Sequence, residues 1–403
     1  MKTVPLAVLS TSINCVGRLL GAAALIFSLN AIATPIPTYK VIDLGFTGTA
    51  LNNRGQVAGY SSEGAVLRDR NGTIRYLGSG QAVDVNEFGQ VLGDDNGHAW
   101  IWDSVFGRRD FAFGGATALN DRGQFVGYVS ADHPGIPADP FLESEGYFWD
   151  PIFGLTPTPD RAAHQALAPL DINNHATIVG HNGAGEGPAF VMENGVVTKL
   201  DVAEVLDLPP GFSRSLRATA INERGEIAGF GGSDDVTLPN GLECVEGTEG
   251  GECTPAILWG PDLTPQLLGV FGPAFAISDR GQVVGRSFLE SCIGGCPALF
   301  NGAFLWDRSF GALDINTLIR PNDPLREIHF GIAAQINNSG MIIADPTFGP
   351  GIRNTGGRYL LIRVREPGTA VMLGLALVVL GFFHRVANLR DTLGLARRSG
   401  TSR

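Results

Sequence analysis

The chain has 403 residues, with 40 acidic side chains against 29 Lys and Arg, and a formal net charge of −11. That balance argues against nucleic acid and against adsorption to anionic lipid, since both reward a cationic surface. With 55 glycines and 24 prolines, the composition favours many tight turns and short apolar elements over long amphipathic helices.

In chain order, residues 1–33 read as a secretory signal peptide. Lys2 and Arg18 precede an apolar stretch at 19–29, and Ala31-Ile32-Ala33 offers a small-x-small cleavage site. From residue 34 to 364 one phrase recurs seven times. The copies begin at Ala50 (ALNNRGQVAGY), Val83 (VDVNEFGQVLG), Ala118 (ALNDRGQFVGY), Asp171 (DINNHATIVGH), Ala220 (AINERGEIAGF), Ala276 (AISDRGQVVGR) and Gln335 (QINNSGMIIAD).

Each copy sets a tetrapeptide of the Asn-x-x-Gly type between two apolar runs, with Ser first in the sixth and Ala last in the fourth. This pattern suits a type I turn followed by a left-handed residue, a common hairpin connection. Gly55, Gly89, Gly123, Gly225, Gly281 and Gly340 occupy the left-handed position, where a side chain is penalised. The fourth copy has Ala176 there, so its turn is expected to differ. The second run ends in another glycine in six copies, among them Gly127 and Gly180, which predicts a short buried strand closely approached by a neighbouring backbone.

A second phrase follows most copies: HAWIWD at His98, GYFWD at Gly146, PAILWG at Pro255 and GAFLWD at Gly302. Three of these continue as Trp-Asp-x-x-Phe-Gly, from Trp102, Trp149 and Trp306. They read as a third strand and its exit turn, with a fourth apolar stretch beyond. Four short strands about every fifty residues predict propeller blades. Residues 39–45 supply a fourth strand with no blade before it, and 358–364 a third strand with no fourth after it. The expected fold is therefore all-β: a seven-bladed β-propeller of four-stranded antiparallel blades, its ring closed by the N-terminal strand. An eight-bladed or solenoid arrangement is the alternative. Strand parity puts the tight turns on one face and the insertions at 130–145, 231–254 and 287–301 on the other, where recognition is expected.

Cys15 leaves with the signal peptide. In an oxidising compartment the remaining Cys244, Cys253, Cys292 and Cys296 are expected to form two disulfides, 244 with 253 and 292 with 296, in preference to a four-thiolate zinc site. His164, His175 and His181 and the acids of 231–254 lack metal-binding spacing, so no metal or cofactor is expected. No nucleophile elbow, phosphate loop or zincin helix appears. The Trp-Asp acids recur at equivalent turns, as structural acids bonding their own turn amides do. No catalytic residue is assigned, and the chain is not expected to be an enzyme.

At the C-terminal end, Glu366-Pro367-Gly368 introduces an apolar run at 369–383 and a tail carrying Arg385, Arg390, Arg397, Arg398 and Arg403. Residues 365–403 thus predict one transmembrane helix with a cytoplasmic basic tail. This tripartite end resembles the PEP-CTERM sorting signal, although the box reads Arg365-Glu366-Pro367 and lacks its first proline. The resemblance implies recognition by an exosortase-type processing enzyme. The paired phrases, best seen in AINERGEIAGF with PAILWG and in AISDRGQVVGR with GAFLWD, resemble the HAF family of extracellular repeats over residues 39–364. That resemblance implies export and repetition and carries over no catalytic residue. The expectation is a non-catalytic exported protein of the cell surface or matrix, a binding scaffold whose partner is exopolysaccharide or another envelope component. A lectin-like glycan-binding propeller is the second reading, and a secreted polysaccharide hydrolase or lyase the third.

Overall fold

The computed structural model describes residues 36–130, 144–158, 167–182, 188–202, 216–232, 236–237, 243–244, 254–287, 292–293, 302–346 and 357–364. Contacts divide the chain into one unit, Thr38–Arg363, and a second made of Met1–Pro37 with Val364–Arg403. The repeats lie in the first.

The third copy shows how the phrase folds. Gly115–Leu119 runs into the Asn120–Gly123 turn, where the Gly123 amide donates to the Asn120 carbonyl at 3.1 Å. Phe125–Ser130 returns antiparallel, placing Phe125 opposite Leu119 on one side and Trp149 on the other. Ser144–Asp150 and Gly154–Pro157 complete a four-stranded antiparallel sheet. The six turn glycines hold φ between +72° and +80° as their position demands. Ala176 takes the same turn at φ +61°, with its amide 3.0 Å from the Asn173 carbonyl. The expected departure of the fourth copy is thus corrected: the turn is kept with a strained alanine in it.

Each inner strand carries a register shift just before the phrase, as between Ala116 and Ala118 or Ala218 and Ala220. The residue left between them in three copies is a threonine, and its hydroxyl reaches the next sheet. Thr49 donates to Ala82, Thr117 to Pro169 and Thr219 to Ala274, at 2.8–3.0 Å. The core lies between neighbouring sheets. In one layer Leu92 and Phe111 of the second copy meet Phe125, Tyr147 and Trp149 of the third. Phe111 stands edge-on to Trp149 at 5.0 Å, and Phe125 stacks on the same ring at 4.8 Å. Such aromatic pairs contribute beyond the area they bury.

The sheet inventory corrects the expected architecture. Among the described residues copies two to six each form a separate four-stranded sheet, but the first and seventh copies share one seven-stranded sheet, and a three-stranded sheet is built from the insertions of the fifth and sixth. The merger has a simple cause. Thr38–Leu51 is a 14-residue strand, hydrogen-bonded to Gly357–Val364 on one side and to Val57–Ser61 on the other. One strand thus serves two copies, and the described residues form five separate four-stranded sheets in place of seven. The fold is β-propeller-like.

The transmembrane helix is also corrected. Among the described residues no helix is long and apolar enough to cross a membrane; the apolar run at 369–383, with Glu366 and Pro367, lies outside them. Among the described residues no disulfide is found either. The three-stranded sheet pairs Val236–Thr237 with Glu243–Cys244, and that strand with Cys292–Ile293, setting Cys244 opposite Cys292 in backbone register. Strands from two different insertions pair with each other, so nearness in sequence does not decide which cysteines are neighbours. Cys253 and Cys296 lie outside the described residues.

The second-strand glycines make the close approach expected of them. A Cβ on Gly180 would lie 2.0 Å from the Ala168 carbonyl oxygen. Gly180→Ala is expected to lower unfolding stability by at least about 1–3 kcal/mol, the usual range for an overpacked site, as read by denaturant melts. An unchanged midpoint would show that the strand pair can open without cost.

Candidate functional site at the ring axis

The Asn of each phrase does more than shape its turn. In the third copy the Asn120 Oδ1 accepts from the Arg122 and Gln124 amides at 3.0 Å, while Nδ2 donates to Gln124 Oε1 and to the Asn173 carbonyl of the next copy. The same link runs from Asn52 to the Asn86 carbonyl, Asn86 to Asn120, Asn173 to Asn222, Asn222 to Ser278, and Asn337 back to Asn52. These bonds span 2.9–3.3 Å, and the six asparagines are only 3–4% exposed. A side-chain amide is suited to this place because it offers a donor and an acceptor in one plane.

Ser278 breaks the circuit, having no amide to give. Its Oγ accepts from the Gln282 amide at 3.3 Å, and the buried Gln282 Oε1 has no hydrogen-bond partner. In four other copies that i+4 side chain, Gln56, Gln90, Gln124 or Glu226, receives the Asn amide at 2.7–2.8 Å.

A second ring lies on the residue after each Asn. The Asn53 amide donates to Glu87 Oε1, Glu87 to Asp121, Asp121 to Asn174, Asn174 to Glu223, Glu223 to Asp279, Asp279 to Asn338, and Asn338 to Asn53, all at 2.7–3.1 Å. This circuit is closed through all seven copies. Asn174 and Asn338 also return an amide bond to Asp121 and Asp279. The two rings line a cavity of about 340 Å³ on the axis.

Two more acids stand two residues before the Asn. Asp84 accepts from the Val85 and Leu119 amides, and Asp171 from the Ile172 and Ile221 amides, at 2.7–2.8 Å. Each bridges its own copy to the next; four other copies have alanine there. Burial pushes the Asp84 carboxyl up, and Asp171 up to about 7, with Asp84 and Glu223 adding like charge to Asp171. Glu87 and Glu223 are raised too, chiefly by burial, with the Asp121 and Asp279 carboxylates respectively adding to it.

The sequence-predicted residues divide cleanly. The six turn glycines close the turns that carry the rings, each amide donating to its own copy's Asn or Ser carbonyl. Asp103, Asp150 and Asp307 bond their own turn amides as expected. His175 is exposed near Glu223, and the His181 Nδ1 lies 2.6 Å from the Asn182 carbonyl oxygen; His164 lies outside the described residues. Among the described residues no group of His, Cys, Asp and Glu could hold a metal. The recognition loops expected on the opposite face fall almost entirely outside the described residues. The acceptor ring was not anticipated, yet its signal was present: Asn, Glu or Asp follows the phrase's Asn or Ser in every copy.

No family model matches the chain. No curated protein matches it either. Among solved structures it is similar to a virginiamycin B lyase from Staphylococcus aureus, at 7% identity and TM-score 0.43, covering 82% of this chain and 100% of that one. A chain of the mitotic checkpoint complex gives 10% identity and TM-score 0.44 over 83% and 96%. A gluconolactonase from Xanthomonas campestris gives 12% identity and TM-score 0.35 over 81% and 90%. These neighbours are propeller-fold proteins.

Ser278→Asn is expected to supply donors for both Gln282 Oε1 and the Asn337 carbonyl, raising stability by about 1 kcal/mol, while Asn120→Ala should lower it by about 1–3 kcal/mol. Thermal or denaturant melts of the two variants check this, and a Ser278→Asn protein less stable than the parent would refute the latch. A raised carboxyl stabilises the fold below its unfolded value near 4 and loses that contribution as pH rises through its folded value. For Asp171 the window is therefore about pH 4–7. The difference in melting temperature between the parent and Asp171→Ala should fall across that window; a flat difference would show that Asp171 does not titrate there.

Proposed function

We propose that the chain is a non-catalytic exported repeat scaffold of the cell surface or matrix, which binds an envelope component such as exopolysaccharide and is sorted through its C-terminal segment by an exosortase-type enzyme. The observation that supports this reading best is the use made of the axial acids. Glu87, Asp121, Glu223 and Asp279 converge on the cavity, but each accepts a backbone amide of the preceding copy. A general acid or base must exchange its proton with a substrate, whereas these oxygens are committed to holding neighbouring turns together. Asp84 and Asp171 are tied in the same way on both oxygens. The HAF-like repeats and the PEP-CTERM-like end agree with an exported scaffold.

The test has two readouts on the full chain. Fractionation of producing cells should recover the protein from the envelope or medium, and recovery from the cytosol would refute export. Incubation with envelope polysaccharide should release no new reducing ends and no unsaturated products. Turnover abolished by Asp121→Asn with Asp279→Asn would replace this reading by a hydrolase or lyase.

A further inference from the structure

The face that carries the axial mouth also carries the outer turns. Gln56, Gln124 and Gln282 of the inner turns donate to Asp69, Asp150 and Asp307 of the outer turns at 2.7–3.1 Å. In three copies these outer turns are polar: Asp69-Arg70-Asn71-Gly72 in the first, Glu193-Asn194-Gly195 in the fourth, Pro261-Asp262 in the fifth. In the sixth, Phe310 is half-buried. The second and third copies depart from this. Val105 and Phe106 are 79% and 88% exposed, Ile152 and Phe153 are 82% and 83% exposed, and Phe88 on the inner turn is 66% exposed.

The two outer turns are neighbours. Arg109, just after the first, lies over the Trp149 ring just before the second, 5.7 Å from its centroid. They therefore form two adjacent apolar fingertips. Exposure this high means that the side chains project from the protein and line no groove.

Two further observations identify what the tips meet. The first is backbone satisfaction. Asp103 Oδ1 accepts from the Val105 and Phe106 amides, and Asp150 Oδ1 from the Ile152 and Phe153 amides, at 2.7–3.0 Å. A turn whose amides are already bonded can leave water at little cost, which is the requirement for entering a hydrocarbon boundary. The second is the charge of the outermost layer. On these turns Arg54, Arg70, Arg122 and Arg280 are exposed, and Arg224 and Arg308 are exposed but paired with the buried Glu226, against exposed Glu193 and Asp262. The axial acids sit half-buried behind them. Arg122 in the third copy and Arg54 and Arg70 in the first, which adjoins the second, put guanidinium groups beside the apolar tips, the order of acyl chain and phosphate at a lipid interface.

We propose that this sector docks on a zwitterionic phospholipid surface, inserting Val105, Phe106, Ile152 and Phe153 while Arg54, Arg70 and Arg122 meet headgroup phosphates. The net charge of −11 disfavours an anionic bilayer. A second copy is disfavoured because its own exposed arginines would face these.

The experiment uses the full chain with phosphatidylcholine and phosphatidylethanolamine vesicles. Phe106→Trp and Phe153→Trp place reporters at the tips; their added emission, against the parent spectrum, should shift to the blue and be quenched by brominated acyl chains. Replacing all four tip residues by serine should lower the vesicle-bound fraction at least tenfold with the melting temperature unchanged. Cosedimentation with unquenched tip tryptophans would show that another part of the chain binds lipid, and would overturn the proposal. So would no cosedimentation, or a tip-dependent capture of acidic polysaccharide with no effect of lipid. Each of these leaves the scaffold reading, which rests on the axial rings, unaffected.

Discussion

The side-chain amide that crosses from one turn to the next turn's carbonyl is the interaction on which the rest of the fold depends. It does three jobs at once, accepting from its own turn amides, donating within its own copy and donating to the neighbour. Because both partners are buried, the bond has no competing water, and losing one partner would leave an orphaned polar group. That asymmetry links each hairpin's geometry to the spacing of the whole ring. The Ser278 interruption shows the dependence directly, since the missing amide leaves Gln282 Oε1 without a partner.

Around this latch the protein concentrates carboxylates where like charges repel. The arrangement holds because most of the axial acids receive at least one backbone amide, and charge-assisted bonds of this kind are stronger than neutral ones. Repulsion and desolvation still leave their mark in the raised carboxyls of Asp84, Glu87, Asp171 and Glu223. The axial mouth thus reads as a structural closure whose acids also set how the fold responds to pH. Function is then sought where copies differ. On this face the second and third copies differ most, exchanging polar outer turns for projecting apolar ones.

Much was legible from local pattern. Turn type follows from Asn and Gly three residues apart, because few residues tolerate the left-handed position. Strand character follows from β-branched runs, and the close approach at Gly180 from a glycine where a side chain would pack. Local pattern was silent or misleading wherever partners come from different copies. The residues after each Asn looked like ordinary polar turn residues, and only closure brings Glu87 to Asn53 or Asn338 to Asn53. Cys244 and Cys253 are near in sequence, but the backbone pairs Cys244 with Cys292 across two insertions. The sheet count failed because a 14-residue strand can be continuous through two copies, and nothing in its composition marks that.

By itself the sequence determined the repeated hairpin, its turn chemistry and the all-β class, since these depend on contacts within about ten residues. Only the tertiary structure decided the rest: the shared seven-stranded sheet, the two hydrogen-bonded rings, the burial that shifts the axial acids, and the exposure of the apolar tips. The physical reason is the same in each case. These properties belong to pairs of groups far apart along the chain, whose distance and desolvation are set by closure of the ring and by no residue alone.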